Sequence, residues 1–234
     1  MNPNEIRTIL CCPAQMNDEK CLGYVQIVDL GNLANQQSKE GGTHLRIRAH
    51  ENSLNIIELN NDGSILATSS ERGTLIRLFE TTKGTALQEL RRGSDRVNLF
   101  SLSFSFNDNW LACIGDSGTL HIFSVNCGKK EQIENGQAGA KKPVKATNSK
   151  NNKSLFGKLG FGAIFPYFDS EFSFAHFKNN NFDCQTKAIF LDNKEDKVLL
   201  LSYKGDGCKL EFDHNYGGEC QKPQTTKNLL NPKE

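Results

Sequence analysis

The chain has 234 residues, enough to bury a core in one or two domains, and its net charge of +1 provides no overall field that would attract nucleic acid. No apolar run approaches the ~18 residues of a membrane span, and the start Met1 to Glu5 lacks a signal-peptide pattern. The eight cysteines show no zinc-type spacing, so we expect reduced thiols, Cys113 as a small core residue, and neither metal nor cofactor.

Short strands are predicted from the beginning of the chain. Residues 6–12 and 22–30 have the pattern of short strands, and a loop rich in Gln, Ser and Gly follows at 31–43. Residues 44–50 alternate apolar and polar side chains with a period of two, which is typical of a half-buried strand.

An internal repeat follows these strands. The stretch Leu66 to Phe79 is echoed by Leu111 to Phe123, with Leu-Ala at 66 and 111 and Gly-Thr-Leu at 73 and 118. Weaker copies lie at 23–29 and 198–212. A repeat of ~40–45 residues with about four short strands is the signature of a β-propeller blade, whereas helical solenoids have shorter or helix-patterned units.

Two adjacent arginines, in Leu90-Arg91-Arg92-Gly93, end a run at 86–92 that is predicted as a strand. Neighbouring side chains of a strand point to opposite faces, so Arg91 and Arg92 must serve different sides. Both guanidiniums are permanently charged planar groups that suit phosphate. The alternative is a solvated arginine pair before a turn.

An insertion at about 126–171 changes character along its length. It is polar and lysine-rich as far as Lys153, a composition that cannot order itself. It then becomes apolar and aromatic, which suits the boundary of an anionic membrane, although these side chains could instead pack on the propeller. The candidate membrane-inserting residues are Leu155, Phe156, Leu159, Phe161, Ile164 and Phe165. We predict that Phe172, Phe174 and Phe177 belong to the blade core.

The order of four motifs, Ala49-His50-Glu51, Gly73 to Arg77, Gln88 to Ser94 and Gly118 to Phe123, resembles the PROPPIN family, the WIPI-type WD-repeat propellers of autophagy. The resemblance implies an all-β fold, a partial WD40-type propeller with roughly three and a half of the family's seven blades, matching its C-terminal half. Blade repeats would occupy about 6–125 and 172–222, and a disordered tail about 223–234. Such an open arc would leave strand edges unpaired.

The resemblance also implies two headgroup pockets, one on each side of the arginine pair. The first would gather His50, Thr68, Ser70, Gly73, Thr74, Arg77 and Arg91, and the second Arg92, Gly93, Thr119 and His121. For Thr68 alone we favour ordinary strand hydrogen bonding, and the two histidines could equally be satisfied blade residues. Gly115 stands where the first repeat has Ser70, so we expect the Arg92 pocket to be weaker.

The function that the resemblance implies is a non-enzymatic scaffold that binds phosphatidylinositol 3-phosphate and phosphatidylinositol 3,5-bisphosphate. It would be cytoplasmic, peripheral on preautophagosomal or endolysosomal membranes, with autophagy proteins and no nucleic acid as partners. No nucleophile–base arrangement or metal cluster indicates an enzyme. The alternatives are a protein-interaction scaffold without lipid binding and a truncated product that does not fold alone.

Overall fold

A computed structural model of the chain describes residues 8–14, 22–30, 44–127, 170–178 and 185–227, and these parts are built from short β-strands. In chain order the strands are β1 (Ile9–Pro13), β2 (Tyr24–Asp29), β3 (His44–Arg48), β4 (Leu54–Leu59), β5 (Ile65–Ser70), β6 (Leu75–Glu80), β7 (Ala86–Arg91), β8 (Leu99–Phe104), β9 (Trp110–Gly115), β10 (Thr119–Ser124), β11 (Glu171–Phe172), β12 (Ala175–Lys178), β13 (Thr186–Phe190), β14 (Lys197–Ser202), β15 (Gly207–Glu211), β16 (Gly218–Glu219) and β17 (Gln221–Thr226).

The strands form four sheets that follow one another along the chain. The first holds β1–β2–β3, the second β4–β5–β6–β7, the third β8–β9–β10–β12, and the fourth β13–β14–β15–β17, all with antiparallel pairing. The second and third sheets each gain a short fifth strand on the outer edge, where β11 pairs in parallel with β7 and β16 with β12. The sheets are the blades of a partial propeller, as the repeat predicts.

The sequence repeat is also a geometric repeat. In the second blade the β4–β5 ladder shifts register between Leu54 and Ile56, and in the third blade the β8–β9 ladder shifts between Leu99 and Ser101. The two bulges occupy the same place, so Ser70 and Gly115 are the partners of equivalent residues, Leu54 and Leu99. Corresponding strand ends in neighbouring blades therefore present corresponding side chains.

The core lies between the sheets. One buried apolar cluster joins the first and second blades, another the second and third, and a third the third and fourth, so the blades stack face to face. Cys113 is fully buried in the middle cluster, as predicted. The first strand of the third blade, β8, contacts the first strands of its two neighbours, β4 and β13, so β7 and β12 lie towards the outer rim.

Two sequence predictions need correction. Phe174 and Phe177 do pack against the core, but Phe172 is 71% exposed because it lies in the edge strand β11. The chain also does not become disordered at 223, because β17 continues to Thr226 and its backbone pairs with β15. Across the described residues, no helix is long and apolar enough to cross a membrane.

Candidate functional site

The two arginines lie where β7 ends, at the outer rim and on the end of the blades that also carries the turn between β5 and β6. We call this end the arginine end, and the opposite end, with the turns at 60–64 and 81–85, the far end. Arg91 is the last residue of β7 and lines a cavity shared with His50 of the preceding loop. Arg92 exerts its charge on Cys113 and His121 of the following blade. The structure thus separates the two side chains as strand alternation predicts.

The cavity on the Arg91 side has a volume of about 350 Å³. We call it the Arg91 pocket, and it is lined by His50, Glu51, Asn52, Ser70, Arg72, Thr74, Leu75, Arg77, Arg91, Gly93 and Ser94. It collects five of the residues predicted for the first side. Gly93, which the sequence assigned to the Arg92 side, lines this pocket instead.

Gly73 shapes the rim of the Arg91 pocket rather than lining it. Its φ of +60° is one that side chains rarely adopt, and a Cβ there would lie 1.9 Å from the Val97 carbonyl oxygen. Only glycine therefore allows the turn that places Arg72 and Thr74 on either side of it.

Four donors in the Arg91 pocket have no partner among the described residues. Neither the Arg91 nor the Arg72 guanidinium has a hydrogen bond or ion pair within those parts of the chain, and the same holds for the hydroxyls of Ser70 and Thr74. A guanidinium can donate two parallel hydrogen bonds to the oxygens of a phosphate, and a hydroxyl adds a neutral donor. The pocket is therefore equipped to bind a phosphorylated ligand.

Arg72 is a pocket residue that sequence reasoning missed. It lies in the turn between β5 and β6, directly before Gly73. Strand direction could have identified it. β5 and β7 both run towards the arginine end, and the turn after β5 must therefore lie beside the last residue of β7. An arginine in that turn is thereby brought next to Arg91.

The Arg77 guanidinium is bonded within the protein and is not available to a ligand in the way that Arg91 is. Its Nε lies 2.9 Å from Glu89 Oε2 and its guanidinium also donates to the Ala49 carbonyl oxygen at 2.6 Å. Both members of this ion pair are buried, and Ser170 donates a further hydrogen bond to the other oxygen of Glu89. Arg77 therefore forms the floor of the Arg91 pocket with its charge balanced by Glu89.

His50 lies in the pocket wall as a neutral group. It is 4% exposed, and its Nε2 is 2.9 Å from Thr68 Oγ1. Burial, together with the charge of Arg77, lowers its pKa to about 3. Thr68 in turn donates to the Arg77 carbonyl oxygen at 3.3 Å, which confirms its interpretation as a strand hydrogen-bonding residue.

The Arg92 side is more fully occupied by the protein itself. Arg92 Nε donates to the Gly73 carbonyl oxygen at 2.8 Å, and another guanidinium nitrogen donates to the Asp95 carbonyl oxygen. His121 Nδ1 is 3.2 Å from Ser173 Oγ, and burial lowers the pKa of His121 to about 4. Thr119, the first residue of β10, pairs through its backbone with Lys178, and its hydroxyl has no partner among the described residues. This side therefore offers fewer unengaged donors than the Arg91 pocket.

The six candidate membrane-inserting residues lie outside the described residues, but both ends of their segment are fixed on β7. Gln88 donates to the Ser124 carbonyl oxygen and to Glu171, each at 3.0 Å, and accepts from the Asn126 backbone. The segment at 128–169 therefore leaves and returns beside the strand that ends in Arg91.

A larger cavity, of about 500 Å³, opens near the inner strands β4, β8 and β13. Lys187 is its only ionisable side chain apart from Tyr203, so it lacks the clustered cations that phosphate requires. We therefore regard the smaller Arg91 pocket as the candidate site. The described residues contain no group of His, Cys, Asp and Glu suited to a metal ion.

Comparison with known proteins gives consistent matches. The PROPPIN family model matches residues 4–229. SVP1-like protein 2 of Saccharomyces cerevisiae is 32% identical to this chain, and the match covers 82% of this chain and 42% of that protein. Autophagy-related protein 18e of Arabidopsis thaliana is 31% identical, and the match covers 94% of this chain and 51% of that protein. The chain thus spans about half the length of the curated relatives it matches.

Solved structures show the same fold. Hsv2 of Kluyveromyces lactis superposes with a TM-score of 0.65 at 21% identity, covering 94% of this chain and 59% of that one. The Atg21 protein in a complex of KlAtg21 with the coiled-coil of AgAtg16 gives a TM-score of 0.62 at 19% identity. This match covers 94% of this chain and 54% of that one.

Proposed function

Because the chain belongs to the PROPPIN family, we propose that it binds 3-phosphorylated phosphoinositides through the Arg91 pocket, as a membrane-recruited scaffold without catalytic activity in autophagy. The ligands would be phosphatidylinositol 3-phosphate and phosphatidylinositol 3,5-bisphosphate. One observation carries the proposal: two guanidiniums and two hydroxyls surround a single cavity with no partner among the described residues.

The chemistry of the pocket matches a headgroup in two respects. Arg91 and Arg72 supply fixed cations, and charge-assisted hydrogen bonds to phosphate are about twice as strong as neutral ones. Asn52 and Ser94 in the wall offer polar groups that inositol hydroxyls can use, and His50 lies behind them as a buried neutral group. Glu89 compensates Arg77, so the buried floor adds little net charge and the cations at the rim select the phosphates.

The insertion would supply a second contact with the same membrane. Its lysine-rich part suits an anionic surface and its aromatic part suits the headgroup boundary. Two modest contacts on one surface reinforce each other through effective concentration. Since both ends of the insertion are held by Gln88 on β7, it would act beside the Arg91 pocket.

The proposed location is the cytoplasmic face of preautophagosomal or endolysosomal membranes, with autophagy proteins as partners. The naming of a relative as an autophagy-related protein and the complex of the similar Atg21 with an Atg16 coiled coil support this. The same complex favours a second candidate function, a scaffold that binds a coiled-coil partner, for which lipid binding is not required.

Liposome flotation tests the proposal. The full chain should float with phosphatidylcholine vesicles that contain phosphatidylinositol 3-phosphate and not with phosphatidylcholine alone. The Arg91→Ala/Arg92→Ala double variant should lose flotation, whereas the charge-matched control Lys83→Ala/Lys194→Ala, at the exposed far end, should keep it. Unchanged flotation of the arginine variant would refute lipid recognition by this site and leave the protein-scaffold function as the better candidate.

A further inference from the structure

Phe172 places an exposed aromatic ring beside the Arg91 pocket. Its side chain is 71% exposed, and its Cα is the register partner of Arg91 in the parallel pairing of β11 with β7. Register partners in neighbouring strands direct their side chains to the same face of a sheet. Phe172 therefore shares the face of the second blade from which Arg91 lines its pocket.

A separate contact fixes the same orientation. Ser170, two residues before Phe172, donates a hydrogen bond to Glu89, two residues before Arg91. Side chains two positions apart in extended chain lie on one face. Ser170 and Phe172 therefore both lie on the face of Glu89 and Arg91, with Phe172 one strand further out on the rim.

The strand that carries Phe172 is held firmly. The Glu171 carboxylate accepts hydrogen bonds from Gln88 Nε2 at 3.0 Å and from Asn126 Nδ2 at 3.2 Å, and Gln88 is buried. Glu171 thus lies on the opposite face, engaged with its neighbours. Its negative charge does not stand between the phenyl ring and an anionic surface.

We propose that Phe172 is a membrane anchor that enters the headgroup–acyl boundary of an anionic bilayer while the Arg91 pocket holds a lipid phosphate. The inference rests on the proposed function and adds a lipid contact outside the insertion. Phenyl rings partition into the headgroup–acyl boundary, and an anionic surface attracts the exposed cation Arg72 at the same end of the blades. A lone exposed phenyl is unremarkable by itself. Its position in register with a phosphate-binding arginine singles this one out.

Vesicle binding of two matched variants tests the anchor. Phe172→Ser in the full chain should weaken binding to phosphatidylcholine vesicles with phosphatidylinositol 3-phosphate by about tenfold or more, because a buried phenyl contributes on that order. Binding of the soluble inositol 1,3-bisphosphate should not change. Phe106→Ser, which alters a phenyl at the far end that is 64% exposed, should leave both unchanged.

A fluorescent probe gives an independent readout. Trp110, the only tryptophan of the chain, is 9% exposed, so the emission that Phe172→Trp adds reports on position 172. This emission should shift to the blue and be quenched by brominated acyl chains when such vesicles are added. If the wild type binds vesicles but Phe172→Ser binds equally well, or if the added tryptophan is already blue-shifted without lipid, the anchor is refuted. Failure of the wild type to bind any vesicle would instead refute the proposed function.

Discussion

Arg77 Nε lies 2.9 Å from Glu89 Oε2 across the β6–β7 ladder, and both side chains are buried beneath the Arg91 pocket. Removing one partner of a buried pair leaves an uncompensated charge, which costs about 3–5 kcal/mol. Glu89→Ala should therefore lower the free energy of unfolding by about that amount in urea denaturation. The double variant Arg77→Leu/Glu89→Leu should cost less than the single change, and an equal or larger loss would show that the pair itself stabilises the blade.

The two arginines should differ in importance. The Arg91 guanidinium has no partner among the described residues, whereas that of Arg92 donates to two backbone carbonyl oxygens. Calorimetric titration with inositol 1,3-bisphosphate should show that Arg91→Ala weakens binding by roughly tenfold to a hundredfold, from about 1.5–3 kcal/mol per charge-assisted bond. Arg72→Ala should also weaken it. Equal losses from Arg91→Ala and Arg92→Ala would mean that the pockets contribute alike.

Replacement of Phe156, Phe161 and Phe165 by Ser should weaken vesicle binding while leaving binding of the soluble headgroup intact. These residues are predicted to enter the membrane, and a headgroup pocket alone binds weakly without a second contact. Parallel flotation and calorimetry on the triple variant make the comparison. If the headgroup affinity falls together with flotation, the three aromatics support the fold and do not insert.

Gly115→Ser should destabilise the protein. From sequence alone, a serine here could strengthen the Arg92 side by restoring the hydroxyl that Ser70 provides. The structure gives no room for it, because a Cβ on Gly115 would lie 2.5 Å from the Asn98 carbonyl oxygen and 2.6 Å from Val97 Cγ1. Overpacking of this kind costs about 1–3 kcal/mol in unfolding experiments. Gly93→Ser, where a Cβ meets nothing within 4 Å, is the control that should retain full stability.

Stability should fall as the pH decreases below about 6.5. The folded pKa of His50 is about 3, against 6.5 for an unperturbed histidine, so the unfolded chain binds a proton in this window while the folded chain does not. The loss is at most about 1.4 kcal/mol per pH unit for one such group. His50→Gln should flatten the dependence of unfolding free energy on pH between 7 and 5. A slope equal to that of the wild type would show that the folded protein takes up a proton at His50 as readily as the unfolded chain does.

Local sequence patterns were sufficient for part of this site. The repeat at Leu66 and Leu111 predicts the blades, and period-two alternation predicts that Arg91 and Arg92 face different blades. The exposure of Phe172 could not be predicted, because it depends on a parallel pairing with a strand of the preceding blade. The pairing of Arg77 with Glu89 likewise depends on the β6–β7 register, and Arg72 required the direction of both strands to be considered together.

The fifth strand of the second blade has a consequence for how the protein is made. Gln88 and Glu171 are 83 positions apart, so the outer edge of β7 stays unpaired until the third blade's first three strands and the whole insertion have been synthesised. Closing such a long loop is entropically costly and contacts of this separation form slowly. An open edge is a template for pairing with other chains. During translation the segment around Arg91 therefore presents an open strand edge, which chaperones would have to protect until residue 172 emerges from the ribosome.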